Sequence, residues 1–155
     1  MANAQKFTPD GLLQQLSTSV LRVAMFTFDA AGEDANGVSN KTILAHPTPV
    51  KLPAHAIVVG GFLDVNTLFD SAGSTAQIAI SVEGANDIQT ATAVSGAPYS
   101  SINRKAIVPK ANTPESTSIK TTVERAITCT VSVQVLTVGK LHGYLYFIVP
   151  GYASA

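Results

Sequence analysis

The sequence has no tryptophan, one cysteine and few charges, and each shortage excludes a class of protein. A single cysteine, Cys129, cannot form an internal disulfide, which argues against a disulfide-rich secreted scaffold and suits folding in a reducing cytoplasm. Charged residues make up 13% of the chain, about half of the ~25% that is usual in soluble domains. The polar surface must therefore come mainly from serine, threonine, asparagine and glutamine.

Clusters of charge and long apolar runs are also missing. Ten basic and ten acidic residues give a net charge of zero, and the longest basic stretch is Arg104-Lys105. Nucleic-acid binding needs clustered lysine and arginine, so we expect no nucleic-acid partner. No segment reaches the ~20 apolar residues that a membrane-spanning helix needs, and the N-terminus lacks the pattern of a signal peptide. A nearly neutral protein has little charge repulsion between copies, so association is tolerated.

The length of 155 residues suits one domain, preceded by a different kind of segment. We expect residues 1–19 to form an N-terminal arm and residues 20–155 to form a single β-sandwich domain. In the arm, Thr8 and Pro9 resemble a helix start, followed by three leucines on one face of a short helix: Leu12, Leu13 and Leu16. The segment is either a frayed terminus with one helical turn or an arm that packs on a neighbouring subunit.

From residue 20 onward, the pattern is that of short strands between turns, without helical periodicity between them. Eight or nine strands are predicted, at 20–29, 41–45, 54–65, 76–82, 88–94, 104–108, 118–123, 125–136 and 141–149. The first is apolar on both faces, so we expect it to be covered on both sides. The sequence therefore predicts an all-β fold, a β-sandwich or jelly roll of about eight antiparallel strands.

Glycine and proline mark several interruptions. Asn36-Gly37 is a hairpin signal, Gly60-Gly61 predicts a bulge inside a strand, and Gly139-Lys140 predicts a turn. Three prolines between residues 46 and 53 predict an extended segment outside the hydrogen-bonded ladder. Residues 66–74 are predicted to form a loop.

The most regular alternation lies in residues 125–136. One face is predicted to be core and the other to be wet. The predicted core face consists of Ile127, Cys129, Val131, Val133 and Val135.

The residue types of catalytic and metal sites are present but scattered. His46, His55 and His142 lie in separate elements without metal-ligand spacing, so we expect surface or strand-edge histidines and no metal. Cys129 alternates with apolar residues and is predicted to be a buried core thiol. We expect no catalytic residue and no cofactor.

The acidic residues and tyrosines have equally plain interpretations. Turn formation explains the acidic residues better than paired catalysis or calcium binding does: Asp34, Asp64, Asp70, Glu83 and Asp87. Tyr144 and Tyr146 share a strand face with His142, and Tyr152 follows the same strand. This pattern favours an amphipathic strand at an interface or sheet surface over a sugar-binding platform.

Residues 52–82, LPAHAIVVGGFLDVNTLFDSAGSTAQIAISV, resemble a pattern found in small virion proteins of phages. The resembling pieces are Leu52-Pro53-Ala54, 56–59, 64–71, 74–76 and the turn at 84–87. The segment from Arg125 through GKLHGYLYFIVPGY is similar to the last hairpin of the same family. The resemblance starts near residue 50 and covers half to two thirds of the chain.

The family that the sequence resembles is that of capsid decoration, or cement, proteins of tailed bacteriophages. This resemblance implies a β-sandwich or jelly-roll module, often a homotrimer, that binds the major capsid protein on the capsid exterior after assembly in the host cytoplasm. It implies no catalytic residue. Two other hypotheses stay open: a carbohydrate- or receptor-binding module of a phage fibre or tail, and an enzyme whose three histidines meet in a pocket.

Overall fold

A computed structural model describes residues 20–107 and 118–150. The predicted arm and Tyr152 lie outside these ranges. The described residues form eight strands and one 3-10 turn at Ala72–Ser74. The strands are β1 (Arg22–Asp29), β2 (Ala45–Leu52), β3 (Ile57–Ser71), β4 (Gln77–Ser81), β5 (Gln89–Ala93), β6 (Arg104–Ile107), β7 (Arg125–Ser132) and β8 (Leu136–Ile148).

The strands form two four-stranded sheets whose paired strands are all antiparallel. The first sheet has the order β1-β8-β3-β6 and the second has the order β2-β7-β4-β5. The pairs are nested, with β1 beside β8, β2 beside β7, β3 beside β6 and β4 beside β5. This is a long hairpin rolled into two layers, the topology of a jelly roll. The predicted fold class is therefore confirmed.

Alternate side chains of both sheets meet in one core, because successive residues of a strand point to opposite faces. The buried side chains of β1 are Ala24, Phe26 and Phe28, and those of β4 include Ile78 and Ile80. The core also holds Tyr99, which follows β5 in a segment predicted only as a loop. Its ring is fully buried and its hydroxyl donates to the carbonyl oxygen of Ile78 at 3.2 Å. Burial raises the pKa of Tyr99.

The proline-rich segment is a strand, so its predicted exclusion from the ladder is wrong. β2 pairs with β7 at the edge of the second sheet, with a register shift between Pro47 and Lys51. An edge strand tolerates proline because one side of its backbone has no partner strand. The strand predicted at 41–45 is also wrong, since residues 41–44 form a turn and bend that lead into β2.

β3 and β8 are longer than predicted. The bulge at Gly60-Gly61 is confirmed by a register shift between Val58 and Gly60. The loop predicted at 66–74 is wrong, because β3 continues to Ser71. The turn predicted at Gly139-Lys140 is wrong as well, because both residues lie inside β8. The ring of Phe69 packs on Gly139 where a Cβ would stand, so this glycine provides room for a ring and does not form a turn.

β7 ends earlier than its alternation predicts. Ile127, Cys129 and Val131 are buried, but Val133 and Val135 are 60% and 46% exposed, so that part of the predicted core face is wrong. Val133 has a φ of 71°, a backbone conformation that ends the strand and is rare for a β-branched residue. β7 and β8 belong to different sheets, so the predicted last hairpin is also wrong.

The strand predicted at 118–123 is reduced to one bridge, between Lys120 and Ile57. The segment is held by backbone hydrogen bonds to residues 55–58 and by the side chain of Thr121, which is fully buried. Its hydroxyl donates to the carbonyl oxygen of Pro53 at 2.6 Å and accepts from the amide of Ala56 at 2.8 Å. The start of β3 is thus fixed by a side chain that shows no pattern in the sequence.

Candidate functional site

The three histidines do not meet. His46 is buried in β2, His142 lies on the outer face of the first sheet, and His55 is exposed before β3. Over residues 20–107 and 118–150, no group of three or more histidine, cysteine, aspartate or glutamate side chains could hold a metal ion. The same residues contain no helix with the length and hydropathy that crossing a membrane requires.

His46 has a structural role that the sequence did not indicate. It lies at the strand edge, as predicted, but its side chain is 1% exposed. Its Nδ1 lies 3.1 Å from Oδ2 of Asp34, and its Nε2 lies 2.9 Å from the carbonyl oxygen of Thr42. Asp34 also accepts hydrogen bonds from the backbone amides of Val38 and Asn36. Both bonds lower the pKa of Asp34, and the bond from Val38 has the larger effect. Both ring nitrogens thus have partners within the loop.

Three other acidic residues singled out in the sequence hold the backbone or lie near arginine: Asp64, Asp70 and Asp87. Asp87 accepts three consecutive amides, those of residues 82–84, as expected for a turn residue. Asp70 accepts the amide of Ser71 and the hydroxyl of Ser74. Asp64 lies within β3 and not at a loop, 3.9 Å from Arg104. The predicted turn role therefore holds for Asp34 and Asp87. Asp64 and Asp70 both lie within β3, but Asp70 is near its end and bonds the 3-10 turn that follows.

Cys129 is the core thiol that the alternation predicted. It is fully buried in β7, and burial raises its pKa to about 12. A thiolate is the reactive form of cysteine, so this residue is inert at neutral pH.

Glu83 and Arg125 form an ion pair at the start of β7. Nε of Arg125 lies 2.9 Å from Oε2 of Glu83, and the hydroxyl of Thr122 donates to Oε1 at 2.7 Å. The bond from Arg125 is the largest cause that lowers the pKa of Glu83 from 4.5 to about 2. The pair therefore links the turn that follows β4 to the start of β7.

We expect Glu83→Gln to lower the stability of the protein at pH 7 and to have no effect in strong acid. The folded pKa lies below the unfolded one, so the stabilisation is fully present above about pH 4.5 and is lost as the pH falls through about 2. Thermal melts of both proteins from pH 7 to pH 2 measure this difference. A gap that stays constant over the whole range would contradict the ion pair.

The matched control is Glu124→Gln. Glu124 pairs with Lys51 at 3.1 Å, but both side chains are more than half exposed. Exposed pairs contribute little to stability, so this variant should melt close to the parent at every pH.

The outer face of the first sheet carries the largest feature that the sequence did not predict. β1 is covered on one side only, so its predicted double coverage is wrong: Val23 and Met25 are 54% and 55% exposed. The register places Val23 beside Tyr146, and Met25 beside Tyr144. Tyr144 in turn lies beside Phe62 of β3. We call these five residues the aromatic face: Val23, Met25, Phe62, Tyr144 and Tyr146.

The rings of the aromatic face pack on each other. Phe62 and Tyr144 are stacked with centroids 4.4 Å apart, and Tyr146 is tilted against Phe62 at 6.2 Å. Stacking occupies one face of the Tyr144 ring, which reduces what it can offer to a sugar. The adjacent set of paired residues on the same outer face is polar: His142 of β8 lies between Thr27 of β1 and Asp64 of β3. The predicted amphipathic surface strand is confirmed for Tyr144 and Tyr146.

The aromatic face contains no charged residue among its five members. Its five residues come from three strands that are distant in sequence, so no motif could reveal it. One signal was available: Val23 and Met25 alternate with Ala24 and Phe26, and only one of those two sets can face the core of a two-layer fold.

The fold is similar to that of chains in three solved phage capsids. In the cyanophage Pam1 capsid asymmetric unit, the match has a TM-score of 0.60 at 16% identity and covers 97% of this chain and 92% of the other. In the acidic stable capsid structure of Helicobacter pylori bacteriophage KHP30, the match has a TM-score of 0.57 at 16% identity and covers 86% of this chain and 91% of the other. In the capsid of Ralstonia phage GP4, the match has a TM-score of 0.52 at 18% identity and covers 85% of this chain and 86% of the other.

No protein-family model and no curated protein matches the sequence. At identities of 16–18%, the structural matches establish a shared fold. Each match covers most of both chains, so the likeness concerns the whole two-sheet body and not a fragment of it.

Proposed function

We propose that this chain is a decoration protein of a tailed phage, a structural virion protein that binds the outside of the capsid shell and stabilises it. The observation that carries the proposal is the fold likeness, which spans 85–97% of the chain in three structures of phage capsids. The partners in this proposal are the major capsid protein and two further copies of the chain. The location is the capsid exterior, after assembly in the host cytoplasm.

The physical properties of the described body suit a role in contact. Asp34, Asp70, Glu83 and Asp87 hold turns or an ion pair, His46 is bonded through both ring nitrogens, and Cys129 is inert. We therefore assign the chain no enzymatic activity. Uncharged polar and apolar surfaces can lie against a shell without the desolvation that buried charges require. Each copy can bind weakly, because a symmetric array engages many sites at once.

Shells of the encoding phage, prepared with and without this protein, test the proposal. We expect the protein to sediment with the shells at saturable stoichiometry and to raise the temperature at which they release DNA. Bovine serum albumin at equal concentration is the control for non-specific crowding. Shells that neither bind the protein nor gain stability would contradict the proposal, and binding to glycans instead would favour the fibre or tail module.

The N-terminal arm is part of the same proposal, in which residues 1–19 add contact area on a neighbour. We expect a protein lacking residues 1–18 to keep the melting temperature of the parent and to bind shells at least tenfold more weakly. Sedimentation with shells and thermal melts measure the two effects. Loss of the folded domain on truncation would place the segment in the core, and unchanged binding would remove it from the contact.

A further inference from the structure

We propose that copies of this chain associate with one another through the aromatic face. The proposal deepens the proposed function by naming the surface of self-association. Its support comes from three independent features of the first sheet: the exposed apolar area, the distribution of charge and the state of the edge strand.

The exposed apolar area is larger than a solitary surface residue explains. Val23 and Met25 are 54% and 55% exposed and lie on the same side of β1, next to the three rings of β3 and β8. Leu21, which precedes β1, is also 54% exposed. Contiguous exposed apolar patches of this kind on monomers are often functional. A stable interface buries roughly 800 Å² per partner, so the patch would form the centre of an interface and not its whole extent.

The distribution of charge suits a second copy as the occupant. In a closed symmetric oligomer, residues nearest the axis meet their own copies, so a charge there would face a like charge. No member of the aromatic face is charged. The nearest charged pair, Asp64 and Arg104, lies in the next row and at the edge strand β6. The net charge of zero also leaves little long-range repulsion between copies.

Among the residues that the structure describes, the edge strand β1 lacks the protecting features of β2, an edge strand of the other sheet. β2 carries Pro47 and Pro49 and a shift in register, which are the devices that block edge pairing. β1 is eight residues long, has no proline and pairs with β8 in unbroken register. Its exposed side chains between Arg22 and Asp29 are uncharged. A partner that covers the aromatic face can therefore approach over β1.

The tyrosines fit a contact surface of this kind. Tyr144 and Tyr146 are half-buried in the single chain, and their hydroxyls can hydrogen-bond across an axis while their rings pack. Tyrosine and methionine are enriched at protein interfaces, and such aromatic anchors supply much of the binding energy.

Sedimentation velocity of the purified full chain, without shells, tests the inference. We expect the parent to be oligomeric at micromolar concentration and Met25→Lys to weaken the association at least tenfold, because each interface would then bury an unpaired charge. The matched control is Ile43→Lys, since Ile43 is 52% exposed but lies in the turn before β2. This variant should associate as the parent does.

Two further variants separate association from folding. Met25→Leu should keep the oligomer, and all variants should retain the thermal stability of the folded single chain. If Met25→Lys fails to fold, Val23→Lys replaces it, since Val23 lies two residues earlier on the same face of β1. We expect this variant to weaken the association at least tenfold as well. A monomeric parent, or a Val23→Lys protein that associates like the parent, would overturn the inference. Neither result would bear on shell binding, which is measured separately.

Discussion

Val131→Asp is expected to leave no folded protein in the soluble fraction. Val131 is 1% exposed in β7 and pairs with Ile78 of β4, in the middle of the second sheet. An ionised carboxylate there would have no partner, and burying it would cost several kcal/mol, a large part of the roughly 5–15 kcal/mol that stabilises a domain. Circular dichroism of the refolded protein and the yield of soluble protein measure the loss.

The control for this variant is the neighbouring residue on the other face. Ser132 is half-exposed at the end of β7, so Ser132→Asp should fold and melt within a few degrees of the parent. Normal soluble expression of Val131→Asp would show that the strand faces are assigned incorrectly, and with them the core of the sandwich.

Gly143→Ala should also be strongly destabilising, although it adds a single methyl group. Gly143 lies in β8 opposite Phe26 of β1, and a Cβ at this position would overlap the Phe26 ring. Phe26 is 2% exposed and fixed in the core, so the ring has no free space to enter. Overpacking a core costs roughly 1–3 kcal/mol and sometimes more, and we expect the upper end of this range. Urea denaturation measures the difference.

Two comparisons isolate the clash as the cause. Gly60→Ala, in the adjacent strand β3, adds the same methyl where the nearest heavy atom is 4.0 Å away, and it should change the stability by less than about 0.5 kcal/mol. In a Phe26→Leu background, Gly143→Ala should cost markedly less than in the parent. Equal costs in both backgrounds would show that the glycine is needed for another reason.

The sequence predicted the class of fold because its strongest signals are local. Alternation indicated a strand and its buried face in residues 127–131, and both were confirmed. The Gly60-Gly61 bulge was confirmed for the same reason, since two adjacent glycines in a strand have few other uses. The number of strands followed from the spacing of turns, which a jelly roll shares with other sandwiches.

The errors occur where tertiary contacts decide the local structure. Gly139 was predicted as a turn because glycine favours turns, but it lies in a strand where Phe69 requires the missing side chain. Pro47 and Pro49 were excluded from the ladder, yet an edge position accepts them. Val133 continued a regular alternation, but the chain leaves the second sheet at that residue. None of these outcomes is encoded within a few residues of its position.

The aromatic face could be predicted only in part. The tyrosines of β8 were expected on a sheet surface, and that was correct. Their neighbours Met25 and Phe62 come from strands more than 80 residues away in sequence, and only the register brings them together. A surface built from three strands leaves no motif, so the sequence could indicate that contact matters but not where it occurs.

Electron cryomicroscopy of particles of the encoding phage tests the central claim most directly. The account predicts density for the two four-stranded sheets on the outside of the capsid shell, with the aromatic face of each copy turned toward another copy. Particles that lack the protein on their shells, or that carry it only in a tail or fibre, would contradict the account.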